Sequence, residues 1–157
     1  MSLRYQRERY ADCIAEIAVL LPQHYAEVKL HPDQITLNLD DASYRAIEDL
    51  GNLVLIAARD DETLIAGRSQ LIGYATVFLR ADLHSAHTLA GYVDSYYLLP
   101  AYRRGWNGLK LFRCIEQVLK DLDVKQVFVG ATKHMKTESL FRFGKYIESE
   151  VLYSKLL

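Results

Sequence analysis

The sequence predicts a mixed α/β domain in which a central, mostly antiparallel sheet is flanked by helices. Four short apolar runs are bounded by polar turns, which is typical of buried strands. These runs are residues 53–59, 71–80, 91–99 and 125–131. Two longer segments repeat apolar residues at helical spacing, which is typical of amphipathic helices: residues 7–21, and the stretch after the glycine turn that carries an apolar stripe from Leu111 to Leu122 and ends near Asp123. We found no internal repeat or linker and expect one domain over residues 1–157.

The N-terminal part predicts two helices separated by a loop. The helix over 7–21 should end at Pro22, because proline lacks the N–H that continues a helix. Residues 22–42 show no sustained period, so we expect a long loop with at most a short helical turn. A short helix then stops at Gly51, a residue suited to helix ends.

The middle of the chain predicts antiparallel strands. Residues 53–59 and 71–80 pair antiparallel if the long connection between them is a hairpin. A polar stretch with His84 and His87 then leads into the third strand, 91–99. The two histidines have a spacing that metal ligands can share, but no third ligand is near in sequence, so a solvated loop is expected.

The C-terminal part predicts a parallel pair of strands. The order of strand, helix and strand from 91 to 131 requires a crossover if the two strands lie parallel. A short helix over 137–143 reaches Gly144, and residues 146–157 read as a terminal strand or a tight pair of strands.

Composition excludes several classes of protein. Nineteen basic and twenty acidic residues nearly cancel, which removes the broad attraction on which non-specific nucleic-acid binding relies. Apolar runs fall short of the roughly 20 residues that cross a bilayer. We therefore expect a cytoplasmic protein with no membrane or nucleic-acid partner. Cys13 and Cys114 lie on apolar helix faces and are expected to be free thiols.

The stretch 91–112, GYVDSYYLLPAYRRGWNGLKLF, has the pattern of an anion site. A buried strand stops at a proline, crosses a basic turn with glycines, and enters the long helix. The first N–H groups of a helix lack intrahelical partners and favour negative charge. Gly105 and Gly108 would let a phosphate approach the main chain, with Arg103 and Arg104 as charged donors.

With this element order, the sequence resembles the GNAT N-acetyltransferase superfamily over nearly its whole length. It is most similar to the short forms carried by bacteriophages and prophages. There, a His-x-x-Glu pair follows the first helix, here His24 and Glu27, and the third strand runs into a Pro-x-Tyr-Arg turn, here residues 100–103. The resemblance implies a GNAT fold whose mostly antiparallel sheet contains a splayed parallel pair.

The resemblance also implies acetyl-CoA as cosubstrate and no metal. In that superfamily the turn binds the pyrophosphate through main-chain amides, and the preceding strand pairs with the pantetheine arm. The implied cofactor-binding residues are Tyr97, Leu98, Leu99, Arg103, Arg104, Gly105, Trp106, Asn107, Gly108 and Leu109.

The turn departs from the superfamily pattern at one position. Counting from Arg103, Trp106 stands where glycine is usual, Gly108 matches, and Gly105 is displaced by one residue. Either the turn is remodelled around Gly105 or the pyrophosphate site is weaker. We favour remodelling, because the two arginines and the helix N-terminus are retained.

Three residues are candidates for the chemistry. Transfer of an acetyl group to an amine needs a proton acceptor for the amine and benefits from a proton donor for the leaving thiolate. Asp94 lies in an apolar strand, where burial would prepare it as a base or a substrate-binding group; the alternative is a solvent-facing or capping carboxylate. His24 and Glu27, at i and i+3, could line the acceptor side, although a lone histidine is often structural.

The proton donor is harder to assign. The superfamily frequently has a tyrosine four residues before the glycine that ends the short helix, and Leu140 stands at that position here. His134, with Lys133 and Lys136, follows the last predicted strand and could touch cofactor or substrate, although a polar turn explains it equally well.

The sequence therefore predicts an acetyl-CoA-dependent N-acetyltransferase that acts on an amine of a small molecule or a protein. The alternative is a GNAT-fold module that binds CoA or a protein partner with weak or lost catalysis. The acceptor and the oligomeric state stay open, a homodimer included.

Overall fold

A five-stranded sheet in the order β1-β2-β3-β4-β5 forms the centre of the molecule. In the computed structural model, the residues described are 2–29, 31, 33–82, 84–132, 135 and 137–156. The strands are β1 Leu3–Glu8, β2 Leu53–Ile65, β3 Arg68–Asp82, β4 Ser85–Leu98 and β5 Gln126–Val129. The helices are α1 Tyr10–Val28, α2 Asp41–Asp49, α3 Asn107–Asp121 and α4 Glu138–Phe143.

The sheet is antiparallel from β1 to β4, and β5 adds parallel to β4. This confirms the predicted mixed sheet and its parallel pair. The α3 crossover supplies the connection that two parallel strands require. A single 3₁₀ turn, Pro100–Tyr102, joins β4 to the basic turn before α3.

The sheet separates two apolar layers. On one face, α1 packs through Tyr10, Cys13 and Ile17, and Tyr44 of α2 joins the same cluster. On the other face, α3 packs through Leu111, Phe112, Ile115 and Leu119. Because α1 and α3 lie on opposite faces, Cys13 and Cys114 are separated by the sheet, and both are free thiols as predicted. Among the described helices, none has the length and apolar character needed to cross a bilayer.

Two differences from the prediction lie at the N-terminus. The sequence analysis missed β1, whose charged residues alternate with Leu3 and Tyr5, the two that pack on the core. The prediction that the first helix ends at Pro22 is wrong, since α1 contains Pro22 and continues to Val28. Burial of Leu20 and His24 on either side of the proline offsets the hydrogen bond that it cannot make.

The hairpins are longer than predicted. β2 and β3 extend to a two-residue turn at Ala66 and Gly67, whose φ angles of 50° and 78° are both positive, as a tight hairpin turn requires. The expected long connection at 60–70 is therefore mostly strand. His84 lies in the next turn and His87 in β4, and both are exposed.

The predicted terminal strand is wrong within the described residues. Residues 145–156 carry no strand assignment. Tyr146 packs against Phe112 and Phe141, but Ile147 is 88% exposed and Leu152 is 85% exposed.

Candidate active site

A bulge in β4 places Asp94 on the side of the sheet that α1 and α2 cover. Thr76 of β3 pairs with Ser95, and the next residue of β3, Val77, pairs with Val93, so Asp94 is the extra residue. Val93 and Tyr96 both pack on the α3 side, although strict alternation would place residues three apart on opposite faces. Asp94 and Ser95, which lie between them, both face the other side and reach Thr76. Bulges commonly redirect side chains beside active sites.

The same bulge marks the point where β4 and β5 part. Residues 90–93 of β4 pair with 126–129 of β5. Among the described residues, no strand pairs with that edge of β4 from Asp94 to its end. The Tyr96 hydroxyl donates a hydrogen bond across the opening to the Gly130 carbonyl, 3.1 Å away. A gap therefore opens along β4 toward the basic turn.

Strand alternation decides which main-chain groups face this gap. The Leu99 N–H donates to the Ile72 carbonyl over 2.8 Å, so Leu99 and Tyr97 direct their main-chain groups toward β3. Those of Tyr96 and Leu98 point the other way, into the gap. The side chains of Tyr97 and Leu98 are 4% and 7% exposed and belong to the core. Only main-chain atoms of these residues are thus suited to a ligand.

The turn before α3 is shaped by Gly105. Its φ angle of 59° lies in the left-handed region, which glycine adopts without strain. Asn107 fixes the turn through its side-chain amide, which donates to the Tyr102 carbonyl over 3.0 Å. A Cβ on Gly108 would meet only Leu140, at 3.4 Å. The Leu109 side chain is buried, so this residue too can offer only its N–H.

Trp106 and Leu140 close the turn from the side of α4. Trp106 is 60% exposed and contacts Phe143 edge to face, with ring centroids 5.5 Å apart. Leu140 lies over Gly108, and its apolar side chain can neither donate nor accept a proton.

Arg103 turns back toward α1. Its Nε donates to the Leu98 carbonyl over 2.6 Å, its Nη2 donates to Glu27 Oε2 over 2.6 Å, and its guanidinium lies over the Tyr97 ring. Glu27 and Arg103, predicted for the acceptor and the cofactor respectively, are therefore partners of one another. Arg104 is exposed in the same turn.

His24 lies in the core beneath this pair. It is 5% exposed, its Nδ1 lies 2.8 Å from the Tyr74 hydroxyl, and its ring stacks on Tyr97. Burial lowers the pKa of His24 to about 4, although the negative charges of Glu27 and Asp94 act in the opposite direction. The imidazole is therefore neutral at pH 7. This position fits the structural alternative for His24 better than a direct catalytic one.

Asp94 is exposed, so the expectation that it is buried is wrong. Its Oδ2 accepts hydrogen bonds from the hydroxyl of Tyr44 over 2.9 Å and from that of Thr76 over 3.4 Å. The sequence pattern could not reveal the bulge, which brings both Asp94 and Ser95 to Thr76. Asp94 stays accessible to a substrate while its orientation is fixed by neighbours.

The structure thus assembles the candidates in two groups on one face. His24, Glu27 and Arg103 form one group with Tyr97, and Asp94 forms the other with Tyr44 and Thr76. Sequence analysis missed Tyr44 and Thr76, which fit apolar patterns of a helix and a strand and carry no motif. Lys133, His134 and Lys136 lie outside the described residues.

No protein-family model matches the chain, and neither does any curated sequence. Solved structures do match. An aminoglycoside acetyltransferase from an uncultured soil metagenomic sample aligns with a TM-score of 0.71 and 16% identity, over 100% of this chain and 99% of that one. AAC(6')-Iy, in complex with the bisubstrate analogue CoA-S-monomethyl-acetylneamine, aligns with a TM-score of 0.71 and 13% identity, over 100% of both chains.

A third similar structure is a predicted acetyltransferase with acetyl-CoA from Clostridium acetobutylicum. It has a TM-score of 0.66 and 13% identity, over 99% of this chain and 96% of that one. At such identities, a likeness of structure identifies the fold and leaves the activity to be argued from the site. The mixed five-stranded sheet and its helices have the GNAT fold.

Proposed function

We propose that this protein is an acetyl-CoA-dependent N-acetyltransferase that transfers the acetyl group directly to an amine. The observation that carries the proposal is the gap along β4. It begins at Asp94, where pairing with β5 stops, and it leads to the glycine turn at the N-terminus of α3. The gap therefore connects three features: the Asp94 carboxylate, the edge of β4 that no described strand pairs with, and the turn that we propose binds an anion.

The turn fits the pyrophosphate of CoA. The N–H groups in the first turn of α3 have no intrahelical acceptors, and the helix dipole favours negative charge there. Gly108 leaves the main chain open, and exposed Arg104 supplies positive charge in the same turn. Arg103 acts mainly by holding the turn, since Glu27 and the Leu98 carbonyl already occupy its Nη2 and Nε. This favours a turn remodelled around Gly105, as expected from its sequence.

The edge of β4 fits the pantetheine arm. Tyr96 and Leu98 direct main-chain groups into the gap, and the Leu98 carbonyl is already bonded to Arg103. The amide groups of a pantetheine arm can pair with the remaining groups as an added strand would. The assignment of Tyr97, Leu98 and Leu99 from sequence thus shifts to Tyr96 and Leu98.

Acetyl-CoA supplies an acetyl thioester, which an amine attacks with loss of the CoA thiol. The chain contributes mainly by positioning, because holding both reactants in line removes much of the entropic barrier. Asp94 is the carboxylate placed to accept a proton from the amine, directly or through water. Because Leu140 is apolar, we assign no side chain as the acid for the thiolate.

The acceptor is an amine of a small molecule or a protein. Some proteins of the same fold act on amine-rich compounds, among them the aminoglycoside acetyltransferase from the soil metagenome. Here, Glu27 is paired with Arg103, which leaves Asp94 as the carboxylate that faces the acceptor. The relation to phage and prophage proteins and a cytoplasmic location stay predictions from the sequence.

Calorimetric titration with acetyl-CoA tests the cofactor, and thiol release in a panel of amines tests the transfer. We expect binding in the micromolar range and thiol release that depends on the amine. Absence of binding at millimolar acetyl-CoA would exclude the proposed cofactor.

A GNAT-fold binding module is the second candidate, and Leu140 at the position of the frequent tyrosine favours it. Tight binding of acetyl-CoA with no thiol release from any amine or from lysate proteins would identify that function instead.

A further inference from the structure

Tyr44 is a contact of Asp94 that neither a motif nor the fold assigns. It projects from α2, fifty residues earlier in the chain, and its hydroxyl donates to Asp94 Oδ2 over 2.9 Å. The Tyr44 ring is held on two sides: it stacks on Tyr10 with centroids 5.0 Å apart, and it lies 5.8 Å from the Phe78 ring. The hydroxyl is therefore presented from a fixed ring.

The Tyr44 hydroxyl remains a hydrogen-bond donor to Asp94 as the pH changes. Burial and the negative charge of Asp94 both raise its pKa above the usual range, so it stays protonated at every pH at which the protein would work. Thr76 supports the same oxygen: its Oγ1 lies 3.4 Å from Asp94 Oδ2 and 2.6 Å from Ser95 Oγ. If Ser95 donates to Thr76, the Thr76 proton is directed to Asp94.

Both donors reach one oxygen of the carboxylate. With Oδ2 held by Tyr44 and Thr76, Oδ1 is the oxygen that remains for a ligand. Among the described residues, no lysine or arginine forms an ion pair with Asp94, and Arg103 of the candidate site pairs with Glu27. An exposed carboxylate that hydroxyl groups orient is suited to accept charge-assisted hydrogen bonds from a cation.

We propose that Tyr44 is a positioning residue that orients Asp94 Oδ1 toward the acceptor, and that the acceptor is a primary amine bound as its ammonium ion. This inference rests on the acetyl transfer proposed above and narrows its substrate class from amines in general to cationic alkylamines. The Tyr44 and Thr76 hydroxyls hold Asp94 Oδ2, which leaves Oδ1 to accept a hydrogen bond from the ammonium group.

The proton and bond balance is simple. The ammonium group gives one proton to solvent by way of Asp94 or water, and the neutral amine attacks the thioester carbon. The N–C bond forms, the C–S bond breaks, and the second amine proton ends on the departing thiol. No oxidant, reductant or metal takes part in this balance.

The experiment compares cationic with neutral amines at saturating acetyl-CoA near neutral pH. Spermidine, kanamycin and Nα-acetyl-lysine amide are the cationic probes, and aniline and trifluoroethylamine are the neutral ones. We expect thiol release with cationic probes. Tyr44→Phe, which removes only the hydroxyl, should raise the KM of the best amine about tenfold and leave the dissociation constant of acetyl-CoA unchanged.

A double-mutant cycle separates positioning from packing. Asp94→Asn should raise the same amine KM, and adding Tyr44→Phe to it should cause little further loss, because the hydroxyl acts through the carboxylate. Tyr10→Phe is the matched control: it removes a hydroxyl from the ring stacked on Tyr44 and should leave the amine KM unchanged.

Three results would overturn the inference, and they differ from one another. Faster turnover of the neutral amines would exclude an acceptor bound as an ammonium ion. Additive losses in the cycle would exclude Tyr44 as a positioning residue. Acetyl transfer stands in both cases. Acetyl-CoA binding without thiol release from any probe would remove the inference together with the proposed transfer.

Discussion

Glu27 Oε2 accepts a hydrogen bond from Arg103 Nη2 over 2.6 Å, so the last turn of α1 is tied to the basic turn that follows β4. Arg103 also donates to the Leu98 carbonyl, at the end of the strand. The arginine that its sequence context assigns to a phosphate thus connects the two sides of the candidate site. Arg103 therefore fixes the position of α1 relative to the basic turn.

Replacing Arg103 should therefore affect stability more than cofactor affinity. Arg103→Met removes the ion pair with Glu27, whose side chain is 23% exposed. We expect the free energy of unfolding to fall by about 1–2 kcal/mol, with a change in acetyl-CoA affinity of less than about threefold. Urea denaturation and calorimetric titration measure the two effects.

Glu27→Gln provides the matched control for Arg103→Met. It keeps an acceptor for Nη2 but removes the charge, so the loss of stability should be smaller, and the double variant should lose less than the sum of the singles. A large drop in acetyl-CoA affinity for Arg103→Met with unchanged stability would instead identify Arg103 as a phosphate ligand.

Gly108 allows a test of the proposed pyrophosphate site that does not depend on folding. Gly108→Asp and Gly108→Asn add side chains of the same shape near Leu140, and both should stabilise α3 slightly, because glycine is a poor helix former. The aspartate also carries a negative charge, which favours a helix N-terminus but repels a phosphate.

We expect Gly108→Asp to bind acetyl-CoA at least about tenfold more weakly than Gly108→Asn, with melting temperatures at or above that of the parent protein. Titration of both variants measures the difference. Equal affinities for acetyl-CoA in the two variants would mean that the phosphates bind elsewhere.

Periodicity could predict most of the fold because the elements that build the core bury one face. The strands at 53–59 and 71–80 and the long helix carry continuous apolar patterns, and all three are confirmed. β1 was not predicted because this edge strand buries only alternate residues, which lie between polar and charged ones. The continuation of α1 past Pro22 was not predicted because it depends on tertiary packing, which overrides the helix-ending tendency of proline and is not visible in the local sequence.

The candidate site was harder to predict for the same reason. The turn at Gly105 has a local sequence signature, so it could be found. The orientation of Asp94 depends on a bulge, and its partners Tyr44 and Thr76 are distant in sequence. A hydrogen bond between side chains that are distant in sequence produces no periodic pattern. Asp94 could therefore be predicted as a candidate from sequence, but its hydrogen-bond partners could not.

Arg59 is the centre of a buried ionic cluster that should dominate stability. Its side chain is 3% exposed; it donates to Glu8 over 2.7 Å and to Glu16 over 2.9 Å. Burial alone would raise the pKa of Glu8, but hydrogen bonds from Arg59, Cys13 and Gln6 outweigh burial and hold that pKa at about 2. Glu8 therefore contributes stability above about pH 4.5, which is lost as the pH falls toward 2.

Arg59→Met should lower the free energy of unfolding by about 3–5 kcal/mol at pH 7, because it removes the close charged donor of the Glu8 carboxylate, which is only 11% exposed. Arg68→Met is the matched control. Arg68 lies 3.8 Å from Glu8 and 3.7 Å from Glu16 but is 54% exposed, so its loss should cost less than about 1 kcal/mol. Similar losses for the two variants, measured by urea denaturation, would contradict the buried cluster.

His24 should make stability depend on pH in a predictable direction. Its pKa is about 4 in the folded protein, against 6.5 as the ordinary value, because burial disfavours the charged imidazole. The unfolded chain therefore binds more protons between these two values. By linkage, stability is greatest above pH 6.5 and falls as the pH drops toward 4.

His24→Gln removes this titration while retaining a group that can hydrogen-bond to the Tyr74 hydroxyl. The variant should be less stable at pH 7, because it loses the ring stacked on Tyr97. From pH 7 to pH 5, however, the wild-type protein should lose about 2 kcal/mol more than the variant, since only wild type must keep a buried imidazole neutral. Urea denaturation at several pH values measures the difference, and His87→Gln controls for the removal of an exposed histidine. Parallel stability curves for wild type and His24→Gln would show that His24 is solvated, and the core position derived for it would then be incorrect.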